Sequence, residues 1–271
     1  VEGGAARTNN PNVLLALTSD DGDGAGVSGV RFSNNGSTWS AWEKPAAQKV
    51  WTLAPGDGVK TVRAQFRDKA GNVSVVYTDT ILLDQTPPTG AIVINGGASV
   101  SSFFDVFLEI MSNDGAGSGV SRMRFSNNGS TWSPWEAVAP TKGWALDPGD
   151  GVKTVRVQFM DRAGNVSAVC ADTLVLDQTP PMGSILINSG ALVSSFFDVF
   201  LTISWNDGAG SGVFRMRFSN NGSTWSPWEA VAPTKGWALP GAGYRTVRVQ
   251  FVDRAGNVSP AYSDYINVVP L

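Results

Sequence analysis

The sequence predicts an all-β chain built as three antiparallel sandwiches in tandem. Three observations predict it. The twelve letters "FSNNGSTWSPWE" begin at Phe125 and again at Phe218, with a near copy, "FSNNGSTWSAWE", at Phe32. Trp39, Trp132 and Trp225 mark a period of 93 residues. That is longer than a solenoid repeat and is the size of a small domain. Finally, the apolar residues between turns alternate with period two, and helical periodicity is absent.

The middle copy justifies each element in order. "GAIVIN" (90–95) is a short β-branched run. "DVFLEIM" (105–111) turns Val106, Leu108 and Ile110 to one face. "VSRMRFS" (120–126) turns Met123 and Phe125 inward and Arg122 and Arg124 outward. "TVRVQFM" (154–160) repeats the pattern with Val155, Val157 and Phe159. Each is a half-buried strand signal. "NNGS" predicts an Asn-Gly hairpin turn, whose two residues tolerate positive φ, and "DRAGN" (161–165) predicts another around Gly164. About seven strands per copy predict an immunoglobulin-like sandwich without the Cys–Trp–Cys pattern of antibody domains. The predicted domains are residues 1–85, 86–178 and 179–271, the first lacking its opening strand because Val1 aligns with Ile94.

Composition excludes several functions. The chain has net charge −3, no histidine and one cysteine among 271 residues. A weakly acidic chain lacks the basic footprint of a nucleic-acid binder. The commonest general base and any cysteine zinc site are both missing. No nucleophile–base pair or phosphate loop is present, so no enzyme is expected. No apolar run of about 20 residues could span a membrane.

The linker "DQTPP" (84–88 and 177–181), the turn D-x-A-G-N-V-S and the block "SGV…RFSNNGSTWS" together resemble bacterial Ig-like repeats. The resemblance covers nearly the whole chain. It implies a non-catalytic role outside the cell or on its surface, as stalk, spacer or adhesive segment, and it names no ligand.

Three residue sets are candidate sites. In an immunoglobulin-like sandwich the entering linker, the second-to-third-strand loop and the last hairpin share one pole. Asp84 should therefore approach Asn113, Asp114, Asp161 and Asn165, and Asp177 should approach Asn206, Asp207, Asp253 and Asn257. Oxygen ligands from three segments suit calcium at the domain junctions. The competing reading is that Asp and Asn stand there as turn formers. No other cofactor is called for.

The tryptophans Trp39, Trp42, Trp132, Trp135, Trp225 and Trp228 form the second set. Three residues apart on a strand, each pair should face opposite sides of the sheet, one in the core and one available to stack on polysaccharide. The third set is apolar: Val1, the outward row Leu14, Phe107 and Phe200, and the tail residues Val268, Val269 and Leu271. These predict self-assembly, with the tail of one chain completing the first copy of the next by strand addition. The expected partners are thus copies of the chain, other surface proteins or polysaccharide.

Overall fold

A computed structural model describes residues 1–271 and is all-β. It divides into two compact units: residues 1–92, 110–140 and 156–170 form one, and residues 93–109, 141–155 and 171–271 form the other. The boundary passes through the middle copy.

The last copy lies wholly in the second unit and shows the complete sandwich. One sheet pairs Met182–Ile187 with Asp198–Asn206 and Asp198–Asn206 with Thr234–Ala238. The other runs Val193–Ser194, Tyr262–Val268, Gly243–Asp253, Val213–Ser219, Glu229–Ala230. The first strand is thus split between the sheets. After Ile187 a short turn at Asn188–Gly190, with Asn188 and Ser189 at positive φ, carries the chain across. Val193–Ser194 then pairs in parallel with the last strand.

Alternation makes the core. Ile185, Ile187, Val199, Leu201, Ile203, Met216, Phe218, Val247, Val249, Phe251, Ile266 and Val268 are buried between the sheets. The middle copy buries the predicted Val106, Leu108, Ile110, Met123, Phe125, Val155, Val157 and Phe159. The first copy, in the first unit, has the smaller core of Val13, Leu15, Val30, Phe32, Leu53, Val62, Ile81 and Leu83. Its Asn12–Ala16 strand pairs only with Gln48–Thr52.

The Asn-Gly element departs from expectation. Only the glycine takes positive φ, as at Gly36, Gly129 and Gly222. The asparagine instead caps the turn: Asn35 Oδ1 accepts the Ser37 and Thr38 amides at 2.9 and 2.8 Å. The chain returns outside the ladder, held to the preceding strand at Ser133 or Ser226, before pairing again at Glu136–Ala137 or Glu229–Ala230. The "DRAGN" hairpin is as expected, with Gly164 at φ 98° and the Asp161 amide donating to the Asn165 carbonyl at 3.1 Å.

Gly183 shows how closely the first strand packs. A Cβ there would collide with the Phe251 ring and come within 2.5 Å of the Ser204 carbonyl oxygen. Gly183→Ala is expected to destabilise the last copy by about 1–3 kcal/mol. Thermal unfolding should show it as a lowered transition for that copy alone.

Candidate functional site

Each predicted junction forms, and each lies inside a single compact unit. Asp84, Asp114 and Asp161 bring one carboxylate oxygen apiece within 4.8 Å of one another, and Asp177, Asp207 and Asp253 do the same. Asp84 and Asp177 are 0% exposed, and Asp161 and Asp253 are 2% exposed.

The loops are shaped to hold the linker carboxylate. The Ser118 amide donates to Asp84 Oδ2 at 2.5 Å, and the Ser211 amide to Asp177 Oδ2 at 2.7 Å. The same serines fix the opposite loop, their hydroxyls accepting the Ala163 and Ala255 amides. Asn165 Nδ2 bridges the Asp84 carbonyl and Asp161 Oδ2 at 2.8 and 2.7 Å. Asn257 Nδ2 bridges Asp177 and Asp253 likewise, both at 2.9 Å. A Cβ on Gly117 would lie 2.6 Å from Asp114 Oδ2 and 2.9 Å from Asp84 Oδ2. Gly210 stands in the same way against Asp207 and Asp177. The glycine is therefore needed for the carboxylates to close.

One oxygen in each cluster has no hydrogen-bond partner although it is buried: Asp114 Oδ1 and Asp207 Oδ1. Burial, and then the charges of Asp84 and Asp161, push the Asp114 carboxyl above its ordinary pKa. Burial, Asp177 and Asp253 do the same to Asp207. Burial, followed by Asp177, also raises Asp253. All the donors are hard oxygens, which select Ca²⁺ or Mg²⁺ over softer metals. Calcium–oxygen bonds of about 2.3–2.6 Å place ligands on opposite sides about 5 Å apart, the scale of these clusters.

Not every predicted ligand serves that way. Asn113 and Asn206 are turn formers, their Oδ1 atoms accepting the Gly115 and Gly208 amides. Asn165 and Asn257 present their amide nitrogens to the acids, so they clamp the cluster. Ser118, Ser211, Gly117 and Gly210 belong to the site and were not singled out; their signal was the repeated "GAGSG". A second pair, Asp57 and Asp150, was also missed. Asp57 accepts the Gln85 amide at 2.8 Å and the Thr86 hydroxyl at 2.5 Å, fastening the linker to the copy it leaves. Asp150 holds Gln178 and Thr179 in the same manner.

The tryptophans correct the sequence reading. Residues 131–135 form no strand, and both indoles of a pair stack on one guanidinium. Arg124 lies 4.9 Å from the Trp132 ring and 4.5 Å from Trp135. Arg217 lies 4.9 and 4.5 Å from Trp225 and Trp228, and Arg31 lies 4.8 and 4.7 Å from Trp39 and Trp42. A glutamine on the neighbouring strand fixes each arginine, as Gln158 Oε1 does at 2.7 Å. All six indoles are half-buried, and none fills the core.

The apolar set divides. Leu14, Phe107 and Phe200 are exposed as predicted. Phe107 and Phe200 stand opposite Gly143 and Gly236 on the next strand. Val268 is a correction: it is 1% exposed, inside the last strand of the third copy. Val269 and Leu271 are exposed, and Val1 packs on the first copy's core. The apolar tail is thus already used by its own sandwich.

A family model described as a bacterial Ig-like domain matches residues 82–178. Residues 82–178, the middle copy with its entering linker, are a bacterial Ig-like domain. The third Ig-like copy follows from its identity to the second over residues 122–146 and 215–239. Solved structures of similar fold include the fibronectin(III)-like modules of Clostridium thermocellum CbhA (17% identity, 66% of this chain and 94% of that one, TM-score 0.36). A Ca²⁺-stabilized adhesin that helps an Antarctic bacterium bind ice is also similar (16%, 99% and 71%, TM-score 0.43). So is a tetra-tandem repeat in the extending region of a large adhesion protein (16%, 97% and 71%, TM-score 0.28). No curated protein matches the chain. No enzymatic family is indicated. No helix is long and apolar enough to cross a membrane.

The linker fastening predicts a pH dependence. The Thr86 hydroxyl and then the Gln85 amide hold the Asp57 carboxyl below its ordinary pKa, and Thr179 and Gln178 do so for Asp150. A depressed carboxylate stabilises the fold above its unfolded pKa, and that contribution is lost as pH falls through the folded value. The Gln85 and Gln178 amide resonances should therefore hold steady at neutral pH and shift only below the usual carboxylate range. Asp57→Asn and Asp150→Asn should abolish that titration.

Proposed function

We propose that the chain is a non-catalytic extracellular spacer whose copy-to-copy junctions are stiffened by calcium. One observation carries this reading. Two buried clusters of three carboxylates each join a linker to two loops of the copy it enters. A cation would offset the burial and the neighbouring negative charge that raise Asp114 and Asp207 and would give their orphaned oxygens a partner. Asp84, Asp114 and Asp161 would hold one ion, and Asp177, Asp207 and Asp253 the other. Bound across three segments, each ion would remove freedom from the linker and set the angle between successive sandwiches.

The spacer reading is preferred to a filament joined through the tail. Strand addition by Tyr265–Leu271 would strip the third copy of its last strand, including the buried Ile266 and Val268. It is also preferred to a glycan-binding reading, because each tryptophan pair is already stacked on an arginine.

Isothermal titration should find two calcium ions per chain. Asp114→Asn and Asp207→Asn should each remove one and leave the other. Saturation at about 100 times Kd should stabilise each junction by about 2.7 kcal/mol. Electron micrographs of the purified chain should show straighter particles in calcium than in EDTA. Unchanged particles with no calcium heat would return the acids to a turn-forming role.

A further inference from the structure

Each copy turns three arginines outward from the sheet that holds its last strand. In the middle copy Arg122, Arg124 and Arg156 stand opposite Met160, Gln158 and Ser126. In the third copy Arg215, Arg217 and Arg248 stand opposite Val252, Gln250 and Ser219. Met123, Phe125, Met216 and Phe218 between them are buried, so the arginines lie on the outer face. Their backbone positions follow one another at about 7 Å along the strand direction.

The first copy has Arg31 and Arg63 at the same register and supplies its third cation differently. Gly29 replaces Arg122 and Arg215, and the residue opposite Gly29 is Arg67, in place of Met160 and Val252. The Arg67 guanidinium lies 4.7 Å from the Trp42 ring, and a Cβ on Gly29 would come 3.2 Å from that same indole. The cation has changed strands and stayed at the same cross-strand pair. A demand for positive charge at that place accounts for the exchange.

The neighbours on this face are uncharged. Gln65, Gln158 and Gln250 Oε1 accept Nη2 of Arg31, Arg124 and Arg217 at 2.7 Å each. The Asn34 and Asn127 carbonyls accept Nη1 of Arg63 and Arg156 at 2.9 and 2.7 Å. On the last strand, Thr78 and Ser263 stand opposite Arg63 and Arg248. The aspartates of that strand, Asp79 and Asp264, pair with the buried Val62 and Val247 and so share the inner face. A chain of net charge −3 thus carries a locally positive face in each copy.

We propose that this face binds an acidic polysaccharide through its guanidiniums. The fork of an arginine matches a carboxylate or sulfate, and an arginine already held by a glutamine and two indoles loses little freedom on binding. The same stack tells against nucleic acid. Single strands bind by laying bases on free aromatic faces, and here guanidiniums cover those faces. The five-stranded sheets of the second and third copies are wider than the helix or two-stranded ribbon that a major groove admits.

The test is the whole chain titrated with polygalacturonate and with dextran sulfate, which separate carboxylate from sulfate recognition. EDTA is present throughout, so the outcome does not depend on the calcium reading. NMR spectra should show saturable shifts at Arg122, Arg215 and Arg67 with at least one of the two polymers, and none at Phe107 or Phe200 on the opposite sheets. Neutral dextran should leave the spectra unchanged, and oligo-dT should bind more weakly than the better polysaccharide. A chain carrying Arg67→Gln, Arg122→Gln and Arg215→Gln should bind about tenfold more weakly or worse, and the three lysine substitutions should restore part of the loss. Absence of shifts with both polymers would overturn the proposal, as would equal binding of neutral dextran or undiminished binding by the glutamine chain. Tighter binding of oligo-dT would assign the face to nucleic acid and sink the idea.

Discussion

Everything at the junctions depends on one unfavourable act, the burial of a linker carboxylate against two others. An ionised group taken out of water costs several kcal/mol unless it is paired. Asp84 and Asp177 are fully buried, and each accepts two amide hydrogen bonds, from Ser118 and Thr86 or from Ser211 and Thr179. The rest of the loop sequence follows from that demand. Glycine stands where any side chain would meet the acids, serine where both loops need a donor and an acceptor, and asparagine where two carboxyl-bearing segments must be bridged. A polar network of this kind stays intact only if every member is satisfied, and the orphaned Asp114 and Asp207 oxygens mark where it is incomplete.

The hairpin aspartates of the first and third copies differ in their surroundings. Asp68 occupies the position of Asp161 and Asp253, and among residues 1–271 its carboxylate partner is Asn72. There, the Asn72 side chain is the leading influence, and it holds the Asp68 carboxyl below its ordinary pKa. Asp253 has the same asparagine clamp, yet burial and the charge of Asp177 push it up. Asp68 and Asp253 thus shift in opposite directions, the first led by its asparagine hydrogen bond and the second by burial. At the Asp253 hairpin the acids Asp177 and Asp207 add crowded negative charge to the same asparagine-clamped turn.

Much of this was legible in the sequence, because two-residue periodicity is a direct consequence of strand geometry. Val106, Leu108, Ile110, Met123 and Phe125 could be assigned to the core from alternation, and Asp84, Asp114 and Asp161 could be brought together from the poles of the sandwich. The tryptophan pairs were misread for the same reason. Alternation puts residues i and i+3 on opposite faces, but the chain at Trp132–Trp135 leaves the ladder. Off the ladder the alternation no longer applies, and both rings meet the same Arg124 guanidinium. The tail was misread because an apolar run near a terminus looks the same whether it is free or serves as the last strand. Only the pairing of Tyr262–Val268 with Gly243–Asp253 decides it.

Stiffness in such an array has two separable sources. Asp57 and Asp150 fasten the beginning of each linker to the copy it leaves, and this fastening needs no ion. Proline pairs follow at once, fixing φ and removing two donors. The carboxylate clusters act from the copy being entered. A linker held from one side still pivots about the other, so the fastening limits how far the chain bends without choosing a direction. An ion shared by the linker and two loops of the next sandwich would choose that direction. Calcium would therefore act as the orienting element of an already shortened hinge, and repeating nearly identical junction loops would give successive copies the same orientation.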